Sequence, residues 1–373
     1  MRTLIISDLH LGASTGVDVL RSELLRATLW QALERADRLV LLGDTLELRH
    51  GGRRDALAAA RPFFEQLGGR MAGREVVLVP GNHDHALIRP WLERRGETDG
   101  SARLGLEQRL SVDEASPMAS RLAAWAHGAR LTVAYPGLWV REDVYATHGH
   151  YLDCHLAIPT LERLGIAATG RVLRLDESSL AGVEDYEALA APVYAWIDAV
   201  AQLAPSGSAL NGQGTVRAWR VLQGLHDRPT LGRRLRSRAL AGGFMLGVAA
   251  LNRAGIGRFQ SDISGSELRR SALRAMAEVS RRLGLEGSHL VFGHTHRAGP
   301  LAHENEPLWR TASGVRLINC GSWTYEPQLL GATVAESPYW PGGCVTVEDG
   351  APPTFRALLE QLGCDELQSA LAG

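Results

Sequence analysis

The sequence contains no lysine, so all 40 basic residues among its 373 residues are arginine. The missing lysine excludes a phosphate-binding P-loop, a Schiff-base enzyme and a lysine general base. Acidic residues number 41, and the formal net charge is therefore only -1. Bulk electrostatics thus gives no reason to expect a nucleic acid or another polyanion as partner.

Cysteines are few and apolar runs are short. Cys154, Cys320, Cys344 and Cys364 lie far apart without a CxxC spacing, which argues against a zinc knuckle and against a disulfide-framed secreted domain. No apolar run approaches the ~20 residues needed to span a bilayer, and the first strand-like run starts at residue 3 without a signal-peptide pattern. We therefore expect a cytoplasmic protein, with a membrane-peripheral location as the alternative.

Short apolar runs alternate with amphipathic stretches in the first third of the chain, which indicates an α/β layered domain. Between residue 152 and about residue 287 the pattern changes to helical periodicity rich in alanine, leucine and arginine, which predicts a helical insertion. The predicted strands are residues 3–6, 38–42, 75–79, 131–134, 144–146, 290–292, 315–319 and 344–347, and the predicted helices of the first third are residues 17–36 and 54–71.

Polar side chains able to bind a metal follow five of these apolar runs directly. Glycines before three of the blocks permit tight turns from strand to loop. Oxygen and imidazole donors without thiolate suit manganese, iron, zinc or a similar divalent ion. The five blocks are Asp8-Leu9-His10, Gly43-Asp44, Gly81-Asn82-His83-Asp84, Thr147-His148-Gly149-His150 and Gly293-His294-Thr295-His296.

Together and in this order, the blocks resemble the signature of the calcineurin-like metallophosphoesterase superfamily, which reads DxH, GDxx(D/E), GNH(D/E), H and GHxH. The resemblance implies a four-layered α-β-β-α sandwich of two mixed sheets. The catalytic domain would comprise residues 1–150 and 288–373, and residues 151–287 would form a helical insertion serving as a lid or cap.

The same resemblance implies two divalent metal ions, with manganese as the first expectation and iron or zinc as alternatives. Asp44 would bridge the ions, because the two oxygens of a carboxylate can reach ions ~3.5–4 Å apart. A hydroxide bridging the ions would attack phosphorus in line, without a protein nucleophile. One ion would be held by Asp8, His10, Asp44 and His296, and the other by Asp44, Asn82, His148 and His294.

Two further residues are expected to act in catalysis. His83, one position after a ligand, would donate a proton to the leaving oxygen or stabilise developing charge. Glu47 matches the acidic position of GDxx(D/E) and would orient His83 and raise its pKa by accepting its other N–H. A solvated loop carboxylate is the alternative for Glu47. Asp84 is expected to close its loop through backbone hydrogen bonds.

The substrate is expected to be a phosphodiester or diphosphate, and a lipid-linked nucleotide is one option. The Gly43-to-Glu47 block and the long insertion resemble the branch of UDP-2,3-diacylglucosamine pyrophosphatases, although that branch carries arginine where this chain has His83. The alternatives are a nucleotide phosphodiesterase or phosphomonoesterase, then a nuclease, then an inactive metal-bearing scaffold. No basic stripe with interleaved aromatic residues supports specific nucleic-acid binding.

The apolar residues 239–251, flanked by arginines, suit either an interfacial helix in contact with lipid headgroups or an ordinary buried helix of the insertion. The sequence leaves the oligomeric state open.

Overall fold

The computed structural model describes residues 1–97, 102–175, 178–203, 246–254, 259–260, 265–330 and 337–372. The chain divides into two compact units. The first unit consists of Met1–His150 together with Gly284–Gly373, and the second is Tyr151–Leu283.

The strands of the described residues all lie in the first unit, and they form one large mixed sheet. Its order is β11-β10-β1-β2-β3-β5-β6-β7-β9-β8, with β4 paired to β5 beside this path. The strands are β1 (Arg2–Ile6), β2 (Arg38–Leu42), β3 (Glu75–Val79), β4 (Glu107–Ser111), β5 (Arg130–Arg141), β6 (Val144–Thr147), β7 (His289–Phe292), β8 (Ala298–Gly299), β9 (Arg316–Cys320), β10 (Gly343–Glu348) and β11 (Thr354–Ala357).

Strand β5 joins two parts of the sheet. Its first residues pair in parallel with β3, and its last residues pair antiparallel with β6. In one part β1, β2 and β3 are parallel, and in the other β6, β7 and β9 are parallel. The edge strands β8 and β11, and β10 beside β11, are antiparallel to their neighbours, so both parts are mixed.

Alternate side chains of the strands enter two different buried clusters, as the twofold period of a strand requires. Leu39 and Leu41 of β2 pack with the helices of the first unit. Val40 and Leu42 of the same strand face a second cluster. That second cluster contains residues of β1, β2, β3 and β10 together with residues of β6, β7 and β9. Strands β1, β2 and β3 are therefore buried on both faces, which explains their nearly continuous apolar runs.

Helices of the first unit cover one face of the sheet. Helix α1 buries Leu25, Leu29 and Leu33, which share one face because they are four residues apart. Helix α5 begins where the Ser116 side chain accepts a hydrogen bond from the Ala119 N–H at 3.2 Å. These helices are α1 (Glu23–Leu33), α2 (Arg53–Arg70), α3 (Arg89–Gly96), α4 (Val112–Ala115), α5 (Pro117–Trp125) and, after the insertion, α9 (Cys364–Ala372).

The second unit is helical in the part that the structure describes, where it contains no strand. Its helices are α6 (Leu161–Leu173), α7 (Val183–Leu203) and α8 (Gly265–Arg282), and residues 246–253 are helical as well. Most of the proposed lipid-contact segment 239–251 lies outside the described residues. In its described part, Leu246 is exposed and Val248 is buried.

Among the described helices, none combines the length and the apolar character needed to cross a membrane.

The elements predicted from apolar periodicity are confirmed. Residues 38–42 and 75–79 are strands with the predicted bounds, whereas predicted helix 17–36 divides into the 3-10 turn Val19–Arg21 and helix α1. Strands β4, β8 and β11 and the second half of β5 were missed. Pro136-Gly137 indicates a strand end, yet β5 continues through it and exchanges one neighbour strand for another.

We expect Ile5→Ala in β1 to lower the free energy of unfolding of the first unit by about 2–5 kcal/mol, because the side chain is fully buried in the second cluster. Ile5→Val should cost about 0.5–1.5 kcal/mol. Leu24→Ala, at a side chain that is 71% exposed, is the control and should change little. Denaturant unfolding followed by tryptophan fluorescence measures all three, and an Ile5→Ala loss no larger than that of the control would contradict the packing described.

Candidate metal centre

The five predicted blocks meet at one place because the strands before them run in parallel within each part of the sheet. Asp8 and His10 follow β1, Asp44 follows β2, and Asn82 follows β3. His148 and His294 follow β6 and β7. Backbone hydrogen bonds tie the loops together, from Asp8 N to Gly43 O at 3.1 Å and from Gly293 N to His148 O at 2.9 Å.

A first group of donor atoms is formed by Asp8, His10, His296 and Asp44. His296 Nε2 lies 3.0 Å from His10 Nε2 and 3.4 Å from Asp8 Oδ1. His10 Nε2 is 3.9 Å from Asp8 Oδ1 and 3.8 Å from Asp44 Oδ2. These separations bring two imidazole nitrogens and two carboxylate oxygens around one point, as metal ligands are arranged.

A second group is formed by Asp44, Asn82, His148 and His294. His148 Nε2 lies 3.2 Å from Asp44 Oδ2 and 3.2 Å from Asn82 Oδ1. His294 Nδ1 lies 3.1 Å from Asn82 Oδ1. The Asn82 oxygen faces Asp44 Oδ2 and the two ring nitrogens. With the amide reversed, its NH₂ group would instead donate to these three atoms, so the orientation with the oxygen inward is the one expected with a cation bound.

Asp44 belongs to both groups through the same atom, Oδ2. Its other oxygen, Oδ1, accepts a hydrogen bond from the backbone N–H of His83 at 2.8 Å. The sequence predicts that each Asp44 oxygen binds one ion, whereas the geometry favours Oδ2 alone for both ions. A single oxygen faces both groups, and the hydrogen bond to Oδ1 fixes its direction.

The second ring nitrogen of three histidines is occupied by an acceptor, which sets the tautomer. His10 Nδ1 donates to Glu47 at 2.9 Å, His148 Nδ1 to the Leu42 carbonyl at 3.0 Å, and His296 Nδ1 to Glu326 at 3.0 Å. Because carboxylate and carbonyl oxygens only accept, each Nδ1 carries a hydrogen, and Nε2 is the atom left to bind a cation.

The surroundings of one buried oxygen, Oδ1 of Asp8, show whether a cation fits this centre. Asp8 Oδ1 is buried without a hydrogen-bond partner, whereas Oδ2 accepts from Ser7 Oγ at 2.6 Å and from the His294 N–H at 2.9 Å. A buried carboxylate oxygen without a partner is costly, and a cation between it and the two facing Nε2 lone pairs would satisfy all three atoms. The residues present therefore fit a bound metal.

The donor side chains are carried on a strained backbone. Asp8, His10, Asp44, His294 and His296 have φ between +47° and +67°, the left-handed region that residues with a Cβ seldom adopt. Among the described residues, Arg174 alone shares this conformation outside the blocks without being glycine. Such strain concentrates at functional sites, because the surroundings must hold it in place.

Two glycines allow the loops to approach this closely. A Cβ at Gly43 would lie 2.2 Å from the His148 ring, and Gly43 itself has a φ of +83°. A Cβ at Gly293 would lie 1.9 Å from Ser7 Oγ and 2.5 Å from Asp8 Oδ2. Glycine is required at both positions for close approach, and at Gly43 for its backbone angle as well.

Charges within the centre perturb the pKa values of its groups. Burial alone would raise the pKa of Asp8, but His10 and the neighbouring imidazoles lower it to about 2. Burial likewise opposes protonation of His148, yet Asp44 raises the pKa of this ring to about 9. The carboxylates of Asp8 and Asp44 are therefore ionised, and the extra proton held by His148 occupies the role that a metal cation would take over.

Glu47 is buried and contacts His83, as predicted, and the alternative of a solvated loop carboxylate is wrong. Its two oxygens lie 2.9 and 3.0 Å from His83 Nδ1. The expected direction of the His83 pKa is also wrong, because burial outweighs the attraction of Glu47 and lowers the pKa to about 4. His83 is thus a neutral ring at pH 7 that donates Nδ1–H to Glu47.

Two other residues hold the loops. Asp84 accepts hydrogen bonds from the N–H groups of Gly81 at 2.7 Å and Thr45 at 2.8 Å, which confirms its predicted role in closing the loop. Asn319, at the end of β9, donates to the Gly293 carbonyl at 2.9 Å and to Thr295 at 3.0 Å.

Sequence reasoning missed several supporting residues. Ser7, His50 and Glu326 each contact a residue of the five blocks. Ser7 directly precedes Asp8 and His50 lies three residues after Glu47, so proximity in sequence could have indicated both. Glu326 follows the blocks in a loop with no comparable signal. His150, the last residue of the fourth block, is 1% exposed, and its ring stacks on Tyr135.

Residues 1–178 match the family model described as calcineurin-like phosphoesterase. The match includes the first four blocks and ends before His294 and His296. No curated protein matches the chain. The matched domain indicates a metal-dependent phosphoesterase of the hydrolase class.

We expect Glu326→Ala to weaken divalent-metal binding about 10–100-fold, because His296 loses the acceptor that fixes its tautomer and ring direction. Calorimetric titration of chelator-stripped protein with manganese or zinc measures the affinity. Glu360→Ala, at an exposed carboxylate, is the control. Equal affinities for both variants and the wild type would show that Glu326 does not support the centre.

Proposed function

We propose that the protein hydrolyses a phosphodiester or diphosphate bond at a centre of two divalent metal ions. The observation that carries the proposal is the pair of donor groups sharing Asp44 Oδ2. Two such groups joined by one carboxylate oxygen are the arrangement that a dinuclear site requires. Metal-dependent phosphoester hydrolysis is also the chemistry implied by the family match.

The proposed ligands divide into two sets that both include Asp44. The first set is Asp8, His10, Asp44 and His296, and the second set is Asp44, Asn82, His148 and His294. Neutral Asn82 adds an oxygen ligand without adding a third negative charge to Asp8 and Asp44. The site with two divalent ions is then net positive and attracts an anionic phosphoester.

Bound divalent ions would supply an activated water nucleophile and neutralise charge on the phosphoryl oxygens. The protein's own groups hold the geometry for this chemistry. Asp44 is held by the His83 N–H, and His10, His148 and His296 are held by their Nδ1 acceptors. These fixed contacts keep the donor atoms in place before substrate binds.

His83 is the proposed catalytic residue nearest the substrate, with Glu47 as the group that orients it. The His83 side chain is 18% exposed, whereas that of Glu47 is 1% exposed. Since Nδ1–H is bound to Glu47, the opposite edge of the ring, which carries Nε2, is left for the phosphoester. The substrate's negative charge favours the protonated ring, which can then stabilise charge or protonate the leaving oxygen.

For the architecture we propose a four-layered sandwich in residues 1–150 and 288–373, with residues 151–287 as a separate helical insertion acting as a lid or cap. The buried cluster shared by both parts of the sheet supports two sheets packed face to face. The division of the chain near residues 150 and 284 supports the insertion.

A lipid-linked nucleotide, as in the UDP-2,3-diacylglucosamine pyrophosphatase branch, is one option for the substrate, with lipid contact of segment 239–251 as the alternative to an ordinary buried helix. Exposed Val172, Trp196 and Leu246 in the helical unit support an apolar ligand. Manganese is the proposed metal, with iron or zinc as alternatives, because the donor set holds no thiolate. The cytoplasm is the proposed location, because the free cysteines suit a reducing compartment.

The proposed function is tested by hydrolysis of bis-p-nitrophenyl phosphate and p-nitrophenyl phosphate. Chelator-stripped protein should be inactive and regain activity with manganese, zinc, magnesium or iron, with preference for the diester. Asp44→Asn should abolish the activity, because both donor groups lose their shared carboxylate charge. Asp365→Asn, at an exposed carboxylate, is the control. Metal-independent hydrolysis, or an active Asp44→Asn variant, would contradict the proposal.

His83→Asn should retain both metal ions and lose activity by about 10²–10⁴-fold. Asparagine keeps an N–H donor for Glu47 but removes the ring edge that carries Nε2. Turnover is measured together with metal content by elemental analysis, with His127→Asn at an exposed position as the control. Unchanged turnover with intact metal content would exclude a catalytic role for His83.

A further inference from the structure

The carboxylate of Glu47 contacts three histidines. Its Oε2 lies 2.9 Å from His10 Nδ1, 2.9 Å from His83 Nδ1 and 3.1 Å from His50 Nδ1. Its Oε1 accepts a hydrogen bond from the Arg49 N–H at 2.8 Å. His10 is a proposed ligand and His83 a proposed catalytic residue, whereas the function proposed above gives His50 no role.

Geometry determines what the three rings do at this carboxylate. The Glu47 side chain is only 1% exposed, and a buried carboxylate requires donors close to its oxygens. The three Nδ1 atoms lie within hydrogen-bond distance of Oε2, so each is placed to donate an N–H to it. His50 therefore shares Oε2 with the two histidines of the centre.

The ring of His83 lies between two other imidazoles. Its centroid is 4.7 Å from that of His10 and 5.4 Å from that of His50, and both pairs meet edge to face with interplanar angles of 84° and 85°. His50 is therefore placed to act on His83 in two ways, by direct ring contact and through the carboxylate they share.

We propose that His50 is a positioning residue for phosphoester hydrolysis, which holds the Glu47 carboxylate and the His83 ring in the orientation that presents Nε2 of His83 to the substrate. The proposal rests on the function proposed above. Without the His50 N–H, the Oε2 atom loses one of its donors and the carboxylate can turn away from His83. The expected cost falls on turnover and leaves substrate affinity nearly unchanged.

The same three residues could instead hold a cation, because one ligand atom from each of Glu47, His50 and His83 lies within 4.8 Å of the others. Glu47 Oε2 already receives the His10 N–H, and this contact competes with a cation for the oxygen. Hydrogen bonding is therefore favoured, and metal stoichiometry separates the two alternatives.

The test compares His50→Phe with His50→Asn. Phenylalanine keeps the ring contact with His83 but has no N–H, whereas the asparagine amide places a donor close to the position of Nδ1. For bis-p-nitrophenyl phosphate with manganese, we expect His50→Phe to lower kcat about tenfold while KM changes less than about twofold. His50→Asn should restore most of kcat, and both variants should retain the metal stoichiometry of the wild type.

A second readout does not depend on turnover. Long-range ¹H–¹⁵N NMR of the imidazoles in the zinc-loaded protein reports which nitrogen of His83 carries the hydrogen. We expect Nδ1–H in the wild type and in His50→Asn, and a mixture of tautomers in His50→Phe. His127→Phe, at an exposed histidine, is the control for replacing a histidine ring.

Four results would overturn the inference. Three of them are wild-type turnover in His50→Phe, no recovery of turnover in His50→Asn, and an unchanged His83 tautomer in His50→Phe. The fourth is the loss of one metal equivalent in His50→Phe, which would instead establish a third cation site. Failure of the proposed function appears differently, as wild-type protein that binds metal and hydrolyses neither p-nitrophenyl ester.

Discussion

Burying two carboxylates in one place costs free energy that only nearby positive charge and N–H donors can offset, and Asp8 and Asp44 impose this constraint on the protein. Both are almost completely buried. Part of the compensation comes from backbone N–H groups, which His294 donates to Asp8 and His83 donates to Asp44. The surrounding imidazoles supply the rest until a cation replaces their protons.

The backbone is organised around the same pair of carboxylates. Five donor residues adopt positive φ angles, at a cost of order 1–3 kcal/mol each. The loops cannot relax, because each follows a buried strand and is joined to a neighbouring loop by backbone hydrogen bonds. The sheet therefore does more than bring the side chains together, since its rigidity maintains the strain that keeps their donor atoms directed at one point.

The contact between Glu47 and His83 could be predicted, but the pKa that results from this contact could not. The pairing of Glu47 with His83 was implied by the match of Glu47 to the acidic position of GDxx(D/E), and the two side chains do meet at 2.9 Å. The direction in which the His83 pKa shifts was not predicted correctly. A carboxylate partner raises this pKa and burial lowers it, so the result depends on how much water the fold excludes from the ring. Packing from distant segments decides that balance, and neighbouring residues do not reveal it.

The sequence by itself determined the strands before each block, since runs such as residues 38–42 are apolar and bounded by turn residues. It also determined the residue types of the centre, because Asp8, Asn82 and His294 belong to short ordered motifs. Only the tertiary structure decided that Asp44 faces both groups through one oxygen and that Glu326 supports His296. Such contacts depend on loop directions, which arise from long-range packing and leave no periodic pattern in the chain.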